Sequence, residues 1–189
     1  KTIDLENHFA TEAWLDALKN NPLGYPTYVD EEKGIGFAAD AWMPLRVRSK
    51  LLDMDDYRLK LMDEAGVDFA VLSLAAPGVE QLEVEEGKRI ATETNDALAA
   101  AMQRHPDRFG GFAALPVKDP EWSAKELERC VKELGFTGWN THSNFGDSYL
   151  DEKKYWPLLA KVEELGVPIY LHPTVPMIPA LREFGMVLA

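Results

Sequence analysis

Short apolar runs alternate with amphipathic helical periods along almost the whole chain, and this alternation limits the fold more than any other feature. A first strand is expected at about Ile3 to Leu5, followed by a short helix at Glu12 to Lys19. From Val47 onward, Val47, Leu51, Met54, Leu61 and Ala65 fall on one helical stripe, and Gly66 stops the helix. "VDFAVLSL" (67–74) then reads as a strand buried on both faces. A helix over about Val84 to Arg104 precedes a third strand, "RFGGFAAL" (108–115). Pro120 opens the next helix, Leu127, Cys130, Val131 and Leu134 form its core stripe, and Gly135 follows its end. "FTGWNT" (136–141) is the fourth strand. A helix at Glu152 to Leu165 leads to the fifth, "VPIYL" (167–171), and a last short helix is expected within Ile178 to Val187.

Strands alternating with helices through short turns build parallel βαβ units, so the class is α/β. Two closures compete, an open doubly wound sheet and a (β/α)8 barrel. A doubly wound sheet normally carries a glycine-rich phosphate turn after its first strand. Here that strand runs into "ENHFATEAW", which has no glycine. The barrel is therefore favoured, although such a fold typically takes about 250 residues, and this chain has 189. It supplies about the first five β/α units of a TIM barrel, read as one domain over residues 1–189. The stretch from Asn20 to Pro44, rich in Gly, Pro and aromatics, has no clear periodicity and is expected to be a functional loop or lid.

The net charge of −12 argues against nucleic acid, because phosphate binding needs a basic face. Lys and Arg are scattered, and no run approaches the ~18 apolar residues of a membrane span. The first residues lack the apolar core of a signal peptide. Cytoplasm is the expected setting. The single cysteine, Cys130, lies on an apolar helix stripe and reads as a small core residue.

Three of the four histidines, His8, His142 and His172, stand at the C-terminal ends of expected strands, where parallel α/β folds place their active sites. The fourth, His105, lies at a helix end and reads as structural. Glu6 precedes His8 by two residues, so in a strand their side chains share a face. Glu6, His8 and His172 form a candidate ligand set for one divalent metal. Imidazole and carboxylate without thiolate suit Zn²⁺ or Mn²⁺ and do not choose between them.

"LENHF", "DPEWSAKELERCVKELGFTGWNTHSNFGDSYLDE" and "VPIYLHP", with "SLAAPGVEQL" and "ATETNDALA", resemble the amidohydrolase-related metal-dependent decarboxylases. The hydroxybenzoate and carboxyvanillate branch is the nearest in pattern. The resemblance implies a barrel of the metal-dependent hydrolase superfamily with a mononuclear metal at its C-terminal face. Glu6 and His8 match the family's first-strand ligands, and His172 the ligand after strand five. A further histidine and an aspartate ligand, with the proton donor, are expected beyond residue 189, so no catalytic acid is assigned.

What the resemblance implies for chemistry is non-oxidative decarboxylation of a hydroxylated aromatic acid. The metal would bind an ortho hydroxyl and a carboxylate oxygen, and a proton delivered to the ring carbon would release CO₂. His142 and Asn144 are placed to hydrogen-bond a ring substituent. Phe9, Trp14, Tyr25, Tyr28 and Trp42 could face a flat ring, and Arg46 or Arg48 could pair with a carboxylate. A hydrolase of the same superfamily is the alternative activity, and a catalytically incomplete truncated barrel the alternative to an enzyme. Unpaired edges on five strands would drive association, so a chain that continues past Ala189 and assembles as a dimer or tetramer is expected.

Overall fold

The computed structural model describes the chain apart from residues 21–27, 31–33, 39–40, 44, 147 and 174–189, with side chains described outside 21–46, 147 and 174–189. The helix expected within 178–187 lies outside the described residues. Five strands form one all-parallel sheet: β1 (Ile3–Phe9), β5 (Phe69–Leu74), β6 (Phe109–Ala113), β7 (Gly138–His142) and β8 (Ile169–His172), hydrogen-bonded in that order. Helices α1 (Glu12–Lys19), α2 (Leu45–Leu52), α3 (Asp56–Ala65), α4 (Val84–Arg104), α5 (Pro120–Lys132) and α6 (Trp156–Leu165) alternate with them. Sequential parallel strands with helical crossovers give half of a (β/α)8 barrel.

The core lies between the sheet and its helices. Trp14, Leu72, Ile90, Leu98, Leu127, Trp139 and Leu158 are all fully enclosed there. Cys130 joins them as expected, and burial pushes its thiol far above the ordinary range. By contrast Ile3 and Leu5 on β1 and Leu171 on β8, the two edge strands, are each more than half exposed.

Three expectations change. The helix read as continuous from Val47 to Ala65 is two helices, because Asp53 Oδ1 accepts from the backbone N–H of Asp55 (3.2 Å) and Arg58 (2.9 Å). An aspartate that bonds nearby backbone competes with helical pairing. Within the stretch 20–44, the described residues include a small antiparallel sheet of β2 (Tyr28–Asp30), β3 (Gly34–Ala38) and β4 (Ala41–Met43). Strands of three to five residues are too short for periodicity to register. Strand β1 runs four residues beyond Leu5, because Asn7, His8 and Phe9 pair with Leu72, Ser73 and Leu74 of β5.

Two features fix where the strand ends point. Between Asp4 and Asn7, β1 takes three steps against two on β5, an irregularity that re-aims the side chains around Glu6. Behind β1, the buried guanidinium of Arg58 donates to the carbonyls of Asp53 (2.7 Å), Lys50 (3.1 Å) and Leu51 (3.4 Å) and to Asn7 Oδ1. Burial lowers its pKa to about 10, with Asp53 and Asp4 opposing. Arg58 thus ties β1 to the α2–α3 turn.

At the other edge, Gly138 lets β7 and β8 approach. A Cβ there would lie 2.5 Å from the Pro168 carbonyl oxygen and 3.0 Å from the Phe112 ring. Gly138→Ala is expected to cost roughly 1–3 kcal/mol through overpacking against backbone, read as a lower midpoint in urea unfolding. An unchanged midpoint would show that β8 shifts freely.

Candidate metal centre

Strands β1 and β8 are the opposite edges of the sheet, yet the rings of His8 and His172 lie 5.1 Å apart, centroid to centroid. The sheet therefore curls until its edges face each other across the concave side. Glu6 completes the meeting, with Oε1 3.6 Å from His172 Nε2. One donor atom from each of Glu6, His8 and His172 lies within 4.8 Å of the others. The structure brings together the three residues that the sequence singled out.

Each ring is oriented from behind. His172 Nδ1 lies 2.6 Å from the Pro173 carbonyl oxygen, which can only accept, so Nδ1 carries the hydrogen. In the neutral ring Nε2 is then the lone pair, 3.6 Å from Glu6 Oε1. His8 Nδ1 is 3.0 Å from Ser73 Oγ, the residue opposite it on β5, which leaves Nε2 for the cluster. Burial lowers the His8 pKa, helped by His172, while Glu6 acts in the opposite direction. The phenol of Tyr170 is pushed up by its hydrogen bond to Glu6 and by burial.

Two neutral imidazoles and one carboxylate are the donor types of a zinc or manganese site. Donors ~2.1 Å from one ion lie about 3–4 Å apart, which agrees with the Glu6–His172 distance. The residues present fit a divalent ion.

His142, in register with His172 on the neighbouring strand, sits at the rim of the cluster with ring centroids 5.6 Å apart. It is 3% exposed. Asn144 is buried, but its side chain bonds within its own loop, donating to Gly146 O and accepting from Ser143 Oγ. Phe9 does not face a ring: it is 1% exposed, in the core on the face opposite His8, as strand alternation requires. Trp14 is enclosed too, its indole N–H donating to Gly78 O at 2.8 Å. Arg48 pairs with Glu12 of α1 at 2.7 Å instead of reaching the cluster. The side chains of Arg46, Tyr25, Tyr28 and Trp42 lie outside the described residues.

Besides Ser73 and Tyr170, one further residue escaped the sequence reading. Glu80, buried in the loop after β5, places Oε1 3.0 Å from His142 Nδ1 and accepts from Thr141 Oγ1 at 3.3 Å. The signal was a lone carboxylate in the apolar loop "AAPGVEQL" beyond a buried strand.

Sequence comparison now bears on this geometry. A sequence model of the amidohydrolase family matches residues 3–188. The chain belongs to that family. It is 42% identical over 182 residues to a gamma-resorcylate decarboxylase of Polaromonas sp., covering 93% of this chain and 51% of that protein. A crystal structure of 5-carboxyvanillate decarboxylase from Novosphingobium aromaticivorans, with manganese and 3-methoxy-4-hydroxy-5-nitrobenzoic acid, matches with a TM-score of 0.83 and 32% identity. It covers 100% of this chain and 56% of that one. A dihydroxybenzoic acid decarboxylase from Polaromonas sp., with manganese and the inhibitor 2-nitroresorcinol, matches with a TM-score of 0.77 and 38% identity over 97% of this chain and 52% of that one. The chain thus spans about half the length of the relatives it matches. Among the described residues no helix is long and apolar enough to cross a membrane.

Two outcomes follow for the ring supports. Ser73→Ala should weaken affinity for Mn²⁺ or Zn²⁺ by about 10–100-fold, the usual effect of losing a ligand's orienting partner, measured by competition with a chelator. In the metal-free protein, the unfolded chain binds the His8 proton at the ordinary pKa of 6.5, above the folded value. Stability should therefore fall as pH drops from 6.5 towards the folded pKa of His8, and His8→Asn should flatten that slope. A slope unchanged in the variant would assign the pH dependence elsewhere.

Proposed function

We propose that Glu6, His8 and His172 hold one divalent ion, Mn²⁺ or Zn²⁺, and that the protein catalyses non-oxidative decarboxylation of a hydroxylated aromatic acid. The observation that carries the reading is the carboxylate–imidazole–imidazole set, gathered within 4.8 Å on the concave side of a half-barrel. The decarboxylase relatives, with manganese and nitro-substituted phenols in their structures, support the substrate class. A bound ion would supply Lewis acidity and a template for adjacent phenolic and carboxylate oxygens.

This chain's residues then divide the remaining work. Ser73 and the Pro173 carbonyl keep the His8 and His172 rings turned towards the ion. Tyr170 stands near Glu6, whose carboxylate is half exposed and raises the phenol's pKa. His142 borders the space a ring would occupy, and Asn144 shapes the loop behind it. The proton for the ring carbon comes from a group that these residues do not include.

His172→Ala should lose metal and decarboxylation together, because removing one donor opens the site. The assay is CO₂ release from ortho-hydroxybenzoates, with metal content measured on the same samples. Hydrolysis of an amide or lactone without CO₂ release would move the reading to a hydrolase of the same family. A His172→Ala protein that keeps its metal would refute the ligand assignment.

A further inference from the structure

We infer that Glu80 is a positioning residue that turns His142 into a hydrogen-bond acceptor, so that the substrate must carry a hydroxyl on the flank facing it. The inference rests on the decarboxylase reading for the substrate class. It stands on three observations. First, Glu80 and His142 are both buried and lie 3.0 Å apart, Oε1 to Nδ1. A carboxylate only accepts, so the hydrogen of this bond belongs to Nδ1. In the neutral ring, Nε2 is then a lone pair.

Second, that Nε2 is enclosed and has no hydrogen-bond partner among the described residues. A buried polar atom left unmatched costs free energy unless a ligand or water meets it. Asn140 Oδ1, two residues earlier on the same strand face, is a second enclosed acceptor without a partner. Two acceptors on one face call for donors.

Third, His142 is beside the metal cluster and not in it. Its ring lies 5.6 Å from that of His172, while the close ligand set comprises Glu6, His8 and His172. A ring bound at that set would therefore present its next substituent towards His142. A hydroxyl can donate to Nε2, whereas hydrogen or methoxy cannot. Glu80 itself is held by Thr141 Oγ1 at 3.3 Å, and a Cβ on Gly78 would lie 2.1 Å from Glu80 Oε2. The close backbone of Gly78 leaves that carboxylate little freedom.

The test is binding, measured by calorimetry on the full-length manganese-loaded protein, of 2-nitroresorcinol, 2-nitrophenol and 3-methoxy-2-nitrophenol. These offer two hydroxyls, one hydroxyl, and one hydroxyl with a methoxy. The wild type should bind the first about 10-fold or more tightly than either of the others. In Glu80→Ala that ratio should fall below about 3-fold with manganese content unchanged, since a merely structural loss would weaken all three alike. Glu80→Met, which is close in volume and has no acceptor oxygen, serves if the alanine variant unfolds, and it too should lower the ratio. His142→Ala should abolish the preference. A wild-type ratio near one, or a ratio retained in both Glu80 variants, overturns the inference. Failure to decarboxylate any hydroxybenzoate while the binding ratio holds would remove the decarboxylase reading and leave the role of Glu80 standing.

Discussion

The curl of the parallel sheet is the constraint on which the rest depends. In a flat five-stranded sheet, four inter-strand spacings of ~4.8 Å would hold β1 and β8 about 19 Å apart. Here the His8 and His172 rings approach to 5.1 Å. The twist and tilt of parallel strands in a barrel bring opposite strand ends together on the concave side. The three ligand residues need no special backbone conformation beyond the irregular step of β1 near Glu6, whereas the loop that carries Glu80 turns at Gly78, whose φ is +66°.

That curvature is held from outside. Helices α1, α4, α5 and α6 pack Trp14, Ile90, Leu98, Leu127 and Leu158 against the outer face of the sheet. Arg58 anchors β1 to the turn between α2 and α3, and the bare backbone at Gly138 lets β8 close on β7. The concave face is polar by contrast, with Glu6, His8, Asn140, His142, Tyr170 and His172 within or beside it. Acceptors and carboxylates gathered in one hollow repel one another unless a cation or hydrogen-bond donors intervene. The depressed pKa of His8, caused by burial and by His172, expresses that tension. So does the raised pKa of Tyr170, pushed up by the neighbouring Glu6 carboxylate and by burial.

Much of this was legible in the sequence because strand ends and residue types are local signals. "LENHF" and "YLHP" announced Glu6, His8 and His172, and parallel topology implied that these ends share one face of the fold. The alternation of elements gave α1 and α4 their observed bounds. What failed to register was non-local or side-chain specific. The role of Asp53 in splitting α2 from α3 depends on one carboxylate turning back on the backbone. Phe9 looked like a ring contact because the sequence shows its position and not its face beyond a bulge; the register with Leu74 puts it in the core. Glu80 is 62 residues from His142, and only the fold brings them together.

The central claim, that this curl assembles a three-residue metal site, is tested most directly by anomalous diffraction from crystals of the manganese-loaded protein. The account predicts one strong manganese peak on the concave side, with Glu6, His8 and His172 each ~2.0–2.3 Å from it. A manganese ion bound elsewhere, with Glu6 Oε1 and His172 Nε2 still facing each other directly, would contradict it.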